Sequence, residues 1–223
     1  MKRSEINALI TDAKAFFDSF FFRLPPWAFW SPADWKGTGD TEVVRHQLGW
    51  DLTDYGAGDF ERRGLILFTL RNGDLNAPQA KKYAEKIMIV RENQICPMHF
   101  HWAKTEDIIN RGGGNLVIEL YNSTADEELA DTPVSVLVDG MPREVEPGGK
   151  VILTPGESIF LTQGIYHRFY GEAGKGKVLV GEVSSVNDDN TDNRFHKAQP
   201  RFPEIIEDEP PLHLLCTDYP EFI

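Results

Sequence analysis

The sequence predicts an all-β sandwich or barrel that carries an N-terminal helical extension. Two features point to it. From Leu65 to Val183 the chain is a series of short apolar or alternating runs, among them "LILFTL", "KIMIV", "PMHFHW", "NLVIEL", "VSVLVDG", "KVILT", "SIFLT", "HRFYG" and "KVLVGEV". Turn signals such as "RNGD", "RGGG", "VDGMP", "PGG" and "TPGE" separate many of them, the punctuation of a sheet-built domain.

The helical part comes first. Ile6, Leu9, Ile10, Ala13, Phe16, Phe17 and Phe20 recur at helical spacing, which predicts an amphipathic helix capped by Ser4 and ending before Pro25-Pro26. In "FWSPADW", Ser31 as N-cap and Pro32 at the first helical position predict another short helix. The apolar face of the first helix must cover part of the sheet. Beyond Val183, "SSVNDDNTDNRFHKAQPRFPEIIEDEPP" is polar and proline-rich, and reads as a long irregular segment lying over the β core. One domain is expected over 1–223, divided into a helical and aromatic extension (1–60), a β-barrel (61–183) and a covering segment (184–223).

Composition narrows the partners. The 223 residues carry a formal net charge of -12 and no Lys/Arg-rich block, so the average field repels nucleic-acid phosphates and anionic lipid. Two cysteines, Cys96 and Cys216, provide neither a disulfide framework nor a CxxC zinc pattern, which suits a reducing cytoplasm. Asp12, Lys14 and Asp18 interrupt the apolar run of the N-terminal stretch, so it does not read as a signal peptide or membrane span.

The chemistry concentrates in "CPMHFHWAKTEDIINRGGG". Residues two apart on a strand share a face, so His99 and His101 can project together into a barrel, with Phe100 and Trp102 turned outwards. Glu106 follows a short turn and can swing back to the same point. His167 arrives in "PGESIFLTQGIYHRFYG". Three imidazoles and a carboxylate make an N/O donor set suited to Mn, Fe, Co, Ni or Zn. Without such partners, HxH on a strand is usually structural. Cys96 has the wrong strand parity for this face and reads as a small buried hydrophobe. His46, His196 and His213 have no partner at ligand spacing.

Lys86 on "KIMIV", Lys104 in "HWAKTE" and Glu182 on "KVLVGEV" are charged residues on or beside stretches written for burial. Glu182 is expected inside the barrel. The two lysines read either as solvated charges or as site residues.

These stretches resemble a known superfamily. His99, His101, Glu106 and Gly113 match the first cupin motif, and Gly156, Gly164 and His167 match the second, with Thr162 replacing its proline. The resemblance implies a cupin jelly-roll barrel and a bound metal. A narrower one spans nearly the whole chain: "LPPWAFWSP", "LGWDLTDYGAGDF", "YAEKIM", "MHFHWAKTEDIINRGGGN", "GEVSSVNDDNTDNRF" and "RFPEIIEDEPPL" are similar to the D-lyxose ketol-isomerase family.

That resemblance implies a metal-dependent aldose–ketose isomerase, which the cysteine usage and the interrupted N-terminal stretch place in the cytoplasm. It would interconvert D-lyxose with D-xylulose, and D-mannose with D-fructose, through a cis-enediol. The metal would be Mn2+, with Co2+, Fe2+ or Zn2+ as alternatives, held by His99, His101, Glu106 and His167. Two open positions on a six-coordinate ion would take the neighbouring oxygens of an open-chain sugar. Glu182 would carry the proton and Lys86 or Lys104 would stabilise oxygen charge. Only the resemblance raises Asp188, Arg194 and Glu204 above solvated loop residues, as sugar contacts. Trp30 could wall the sugar, as could Trp27 and Trp50, although packing is the ordinary role of such aromatics. A homodimer is expected from the edge-rich sheets and the aromatic extension. The competing classes are an Fe(II) cupin dioxygenase and a non-catalytic sugar-binding cupin.

Overall fold

A computed structural model describes residues 1–223 as two antiparallel sheets closed face to face into a jelly-roll barrel, with one long helix at the N-terminus. Strands β1 (Gly49–Thr53), β2 (Leu65–Arg71), β3 (Tyr83–Val90), β12 (Val178–Ser185), β5 (Glu106–Gly113), β10 (Ser158–Leu161), β7 (Val134–Val138) and β8 (Met141–Val145) form the larger sheet in that order. The smaller sheet runs β13 (Arg194–Phe195), β4 (Cys96–Phe100), β11 (Ile165–Gly171), β6 (Leu116–Asn122) and β9 (Lys150–Leu153).

Strand parity sorts the side chains into two cores. On β2, Leu65 and Leu67 turn into the barrel, while Ile66 and Phe68 turn out towards helix α1 (Arg3–Ser19). On β3, Met88 and Val90 point in, and Ile87 and Ile89 point out. Ile6, Ile10, Ala13 and Phe17 of α1 cover that outer face, so the central strands are buried on both sides. The same parity carries Lys86, two residues before Met88, and Glu182, two residues after Val180, to the inner face. They are direct cross-strand partners between β3 and β12.

Several elements depart from the sequence reading. Strand β1 lies within the stretch expected to be helical and aromatic, and all five of its residues are buried, so it has no alternation to announce it. Residues Glu42–Arg45 add a helical turn, capped by the Thr41 hydroxyl, and Tyr219–Phe222 add another at the C-terminus. The expected Ser31-Pro32 start is present as the short helix α2 (Pro32–Trp35), with Asp34 accepting the Ser31 N–H and hydroxyl. Ser4, expected as the cap of α1, lies inside its first turn and donates to Asp208 instead. The helix begins earlier because Arg3 and Met1 are tied by backbone hydrogen bonds to Ile206, and the Glu5 carboxylate accepts the Lys2 N–H.

The C-terminal segment is fastened to α1 by one buried cation. Arg3, only 2% exposed, donates to Asp218 at 2.9 and 3.0 Å and to Glu207 at 2.6 and 2.9 Å. Removing the guanidinium leaves the buried Asp218 carboxylate without its counter-charge, a far larger cost than losing an exposed pair. The Arg3→Ala variant is expected to lose about 3 kcal/mol or more of unfolding free energy, read as a lower urea midpoint; a midpoint equal to that of the parent chain would remove the clamp from the account.

Candidate active site

The site is built where β4, β11, β5 and β12 converge beneath the C-terminal segment. His99 on β4 stands directly opposite His167 on β11. His101 follows β4, where the Gly164 N–H donates to its carbonyl at 3.0 Å. Gly164 has φ +76°, a left-handed conformation that turns the chain into β11. Glu106 opens β5 rather than extending from a turn, and faces inward with Ile108. Gly113, at the far end of β5, has φ +88°, and a Cβ there would lie 2.2 Å from the Lys177 carbonyl oxygen. Only glycine fits that crossing.

The imidazoles are locked by their outer nitrogens. Nδ1 of His99 lies 2.7 Å from the Pro97 carbonyl oxygen, that of His101 2.6 Å from Asp192 and that of His167 3.0 Å from Ile165. Each carbonyl accepts a hydrogen bond from Nδ1–H, which assigns the tautomer and leaves a lone pair on every Nε2. The three histidine donor atoms lie within 4.8 Å of one another, and all three rings are buried. Glu106 Oε1 is 3.1 Å from His167 Nε2 and 3.5 Å from His101 Nε2. Four electron-pair donors therefore face one space, and two of them, His101 Nε2 and Glu106 Oε1, are buried without a hydrogen-bond partner. Such a set fits a divalent cation. Burial, followed by the neighbouring imidazoles, pushes His99 well below the usual imidazole range, so it is neutral and available as a donor.

Beside these donors runs a chain of buried charges. Lys104 Nζ lies 2.7 Å from Glu106 Oε2 and 2.9 Å from Glu182 Oε1. Lys86 Nζ is 3.7 Å from Glu182 Oε1 and 3.4 Å from Asp189 Oδ2, and donates to Asn187 Oδ1 at 2.7 Å. Arg201 pairs with Asp189 at 3.3 Å and with Asp51. Burial alone would raise the carboxyls of Glu106 and Glu182. Lys104 outweighs it for both, helped by His101 at Glu106 and by Lys86 at Glu182, and both are held below the ordinary carboxylate range. Asp189 is held well below by Arg201 and Lys86 despite its burial. Lys86, Lys104 and Arg201 thus face Glu106, Glu182 and Asp189 around the cavity, three cations against three carboxylates.

The remaining wall is apolar. Leu65, Leu67, Met88, Ile108, Phe169 and Phe195 line it, together with Tyr55 and Cys96. Cys96 is a correction to the parity reading. The β4–β11 register advances three residues on β4, from Cys96 to His99, for two on β11, a β-bulge that turns Cys96 to the same side as His99. Its thiol is fully buried and pushed up to about 12, mainly by burial, so it is a neutral part of the wall.

The structure brings His99, His101, Glu106, His167, Lys86, Lys104 and Glu182 to one cavity. It does not bring Asp188, Arg194, Glu204 or Trp30 there. Asp188 is exposed and accepts from Asn190 and Thr191 of its own loop, and the next residue, Asp189, is the one turned inward. Arg194 lies on the outward side of β13 and pairs with Glu127, whereas Phe195 faces the cavity. Glu204 is exposed, and its carbonyl receives the N-terminal ammonium. Trp30 packs edge-on against Trp35, and Trp50 is buried beneath α1 with Phe17.

Sequence reading missed Asp189, Asn193 and Arg201 on the covering segment, as well as Asp192, whose carboxylate accepts the Ala103 and Lys104 N–H groups at 2.8 and 2.9 Å and pins the turn between ligand-type residues. The one signal for Asp189, Asp192 and Asn193 was the density of Asn and Asp in "VNDDNTDN", which does not say which members turn inward, and Arg201 lies outside that stretch.

The two-sheet jelly-roll barrel is a cupin-like fold, with three buried histidines gathered inside it. The D-lyxose isomerase family matches the chain over residues 1–219, and the chain belongs to that family. The D-lyxose/D-mannose isomerases of Serratia proteamaculans and Escherichia coli O157:H7 are 53% and 50% identical to it, with 100% of both chains covered in each case. Among solved structures, the L-ribose isomerase of Cellulomonas parahominis shares the fold, with a TM-score of 0.65, 15% identity, and coverage of 92% of this chain and 98% of that one.

Proposed function

We propose that this chain is an aldose–ketose isomerase that interconverts D-lyxose with D-xylulose and D-mannose with D-fructose, using a divalent metal, Mn2+ first among them. Membership of the D-lyxose isomerase family and the names of its relatives support the substrate reading. The observation that carries the chemistry is Glu182, a buried carboxylate outside the four-donor set and joined to it through Lys104.

In this reading His99, His101, Glu106 and His167 hold the ion. When bound, it polarises the sugar carbonyl and makes the neighbouring C–H more acidic. Glu182, held ionised by its lysines, takes the proton from C2 of the open-chain aldose and, after exchange of the carboxyl proton with solvent, delivers a proton to C1, while the proton of the O2 hydroxyl passes to O1 and leaves the carbonyl at C2. A carboxylate on one side of the sugar serves both transfers, which is the geometry a cis-enediol needs. Lys104 donates to the oxygen on which charge develops, and it keeps Glu106 and Glu182 from repelling each other as that charge moves. Lys86 holds the other side of Glu182, and Ser184 Oγ donates to Glu182 Oε1 at 3.1 Å. The apolar wall limits the access of water to the intermediate without closing the carboxyl of Glu182 to exchange.

Apo-protein supplied with Mn, Co, Fe or Zn and given D-lyxose in deuterated water is expected to form D-xylulose, with solvent deuterium at the transferred position. Oxygen consumption with Fe(II) would instead indicate a dioxygenase, and sugar binding without exchange a non-catalytic cupin; product formed without deuterium would replace proton transfer with a hydride shift.

The Glu182→Gln variant preserves side-chain size and removes the base. It is expected to keep its metal content and lose roughly a hundredfold or more in turnover. Near-normal turnover would eliminate Glu182 as the base.

We also read the protein as a cytoplasmic homodimer. Both cysteines are free and buried, and no helix is long and apolar enough to cross a membrane. Phe21, Phe29 and Met141 are exposed apolar side chains, and β8 is an open sheet edge. Light scattering is expected to return twice the chain mass of 25.3 kDa; a single-chain mass would remove the dimer.

A further inference from the structure

Tyr55 lines the cavity but has no part in the proton transfer described above. It is 4% exposed, and its φ of +54° is a left-handed conformation that a bulky aromatic residue seldom adopts. The turn after β1 enforces it. The Tyr55 N–H donates to Thr53 Oγ1 at 2.9 Å, and that hydroxyl donates to the Arg201 carbonyl at 2.7 Å. The Asp54 carboxylate accepts the N–H groups of Gly56 and Gly58 at 2.9 and 3.0 Å, closing the turn on its other side. The chain spends local strain and four hydrogen bonds on turning this ring inward.

The phenol it delivers has a poor partner. Tyr166 and Tyr219 each donate to a backbone carbonyl at 2.6 Å, as buried tyrosines ordinarily do. Tyr55 Oη has only Cys96 Sγ, at 3.2 Å, and a thiol is a weak donor and a weak acceptor. The Tyr55 ring meets Phe195 edge to face at 5.8 Å, and Phe195 in turn lies 5.7 Å from the His99 ring, so Phe195 packs against both the phenol ring and an imidazole. Tyr55 Oη is the one hydroxyl among the side chains lining the cavity.

We propose that Tyr55 is a specificity-determining residue whose hydroxyl binds a hydroxyl on the non-reacting end of the sugar, at carbon 4 or carbon 6, and that Cys96 holds the phenol in place until the sugar arrives. This rests on the isomerase reading, in which the imidazoles, Lys104 and Glu182 occupy the carbonyl end. The sugar tail then extends along the wall that is apolar except at Tyr55 and Cys96. C–H groups suit most of that wall, and one hydroxyl finds a partner stronger than a thiol.

The test uses D-mannose and its 4-deoxy and 6-deoxy analogues, measured on the metal-loaded parent chain and on Tyr55→Phe, both as kcat/KM and as calorimetric affinity. In the parent chain one analogue is expected to be about tenfold or more weaker than D-mannose, because its missing hydroxyl leaves the phenol without its better partner. In Tyr55→Phe that ratio is expected to fall to about one, with the loss for D-mannose appearing in KM rather than kcat. Equal treatment of all three sugars by the parent chain, a comparison that needs no variant, overturns the proposal. So does discrimination that survives intact in a folded Tyr55→Phe protein. Sugar affinity that follows the expected pattern in a parent chain without turnover would sustain the tail contact and overturn the isomerase reading instead; absence of binding by any of the sugars would overturn both.

Discussion

The Lys104 ammonium, shared between Glu106 at 2.7 Å and Glu182 at 2.9 Å, is the interaction on which the cavity depends. Two carboxylates on neighbouring strands, both buried, would repel strongly in a medium that screens charge poorly, and one would take up a proton. A single cation between them keeps both ionised. In the proposed reaction Glu106 would then serve as an electron-pair donor beside the imidazoles and Glu182 would handle protons. Lys86 repeats the device on the next strand, between Glu182 and Asp189, and Arg201 repeats it again between Asp189 and Asp51. The alternation of sign gives every buried charge an opposite neighbour, the condition under which buried ions are tolerated.

Strand parity explains how the chain could place these residues without special loops. Lys86, Glu106 and Glu182 occupy inner positions on three adjacent strands, continuing rows that carry Met88, Ile108 and Val180 deeper in the barrel. Each polar residue sits where its strand nears the mouth of the barrel, and the apolar residues beyond it seal the floor. This much was legible in the sequence, because a charged residue in step with an apolar row must be either paired or past the strand's end. The cupin-like spacing of His99, His101, Glu106 and His167 was legible for the same reason, since fixed offsets on strands become fixed positions in space.

What escaped has identifiable causes. Strand β5 carries Glu106, Ile108 and Asn110 at its inner positions, so two polar residues, one at the site and one structural, erase the apolar alternation that would have announced it. Asn110 spends its side chain on the carbonyls of Gly114 and Leu153 and on the Gly112 N–H, bonds that no periodicity encodes. The bulge at Cys96 reverses parity within four residues. In the covering segment, neighbours such as Asp188 and Asp189 differ only in which way an irregular backbone turns, and local sequence contains no rule for that. Their placement is decided by partners far along the chain: Lys86 and Arg201 for Asp189, and the 103–104 backbone for Asp192.

The covering segment is therefore part of the site and not merely a roof over it. It has little regular structure, so few backbone bonds of its own hold it, and its ordering must be offset by contacts with the rest of the molecule. Those contacts run in sequence from the cavity outward: Asn187 to Lys86, Asp189 to Lys86 and Arg201, Arg201 to Asp51 on β1, and Glu207 and Asp218 to Arg3 on α1. Helix α1 packs on the outer face of the strands whose inner face holds Lys86 and Glu182. The two ends of the chain thus meet across the same sheet, one covering its back and the other completing the charges on its front, and the cavity takes its final form only when both are in place.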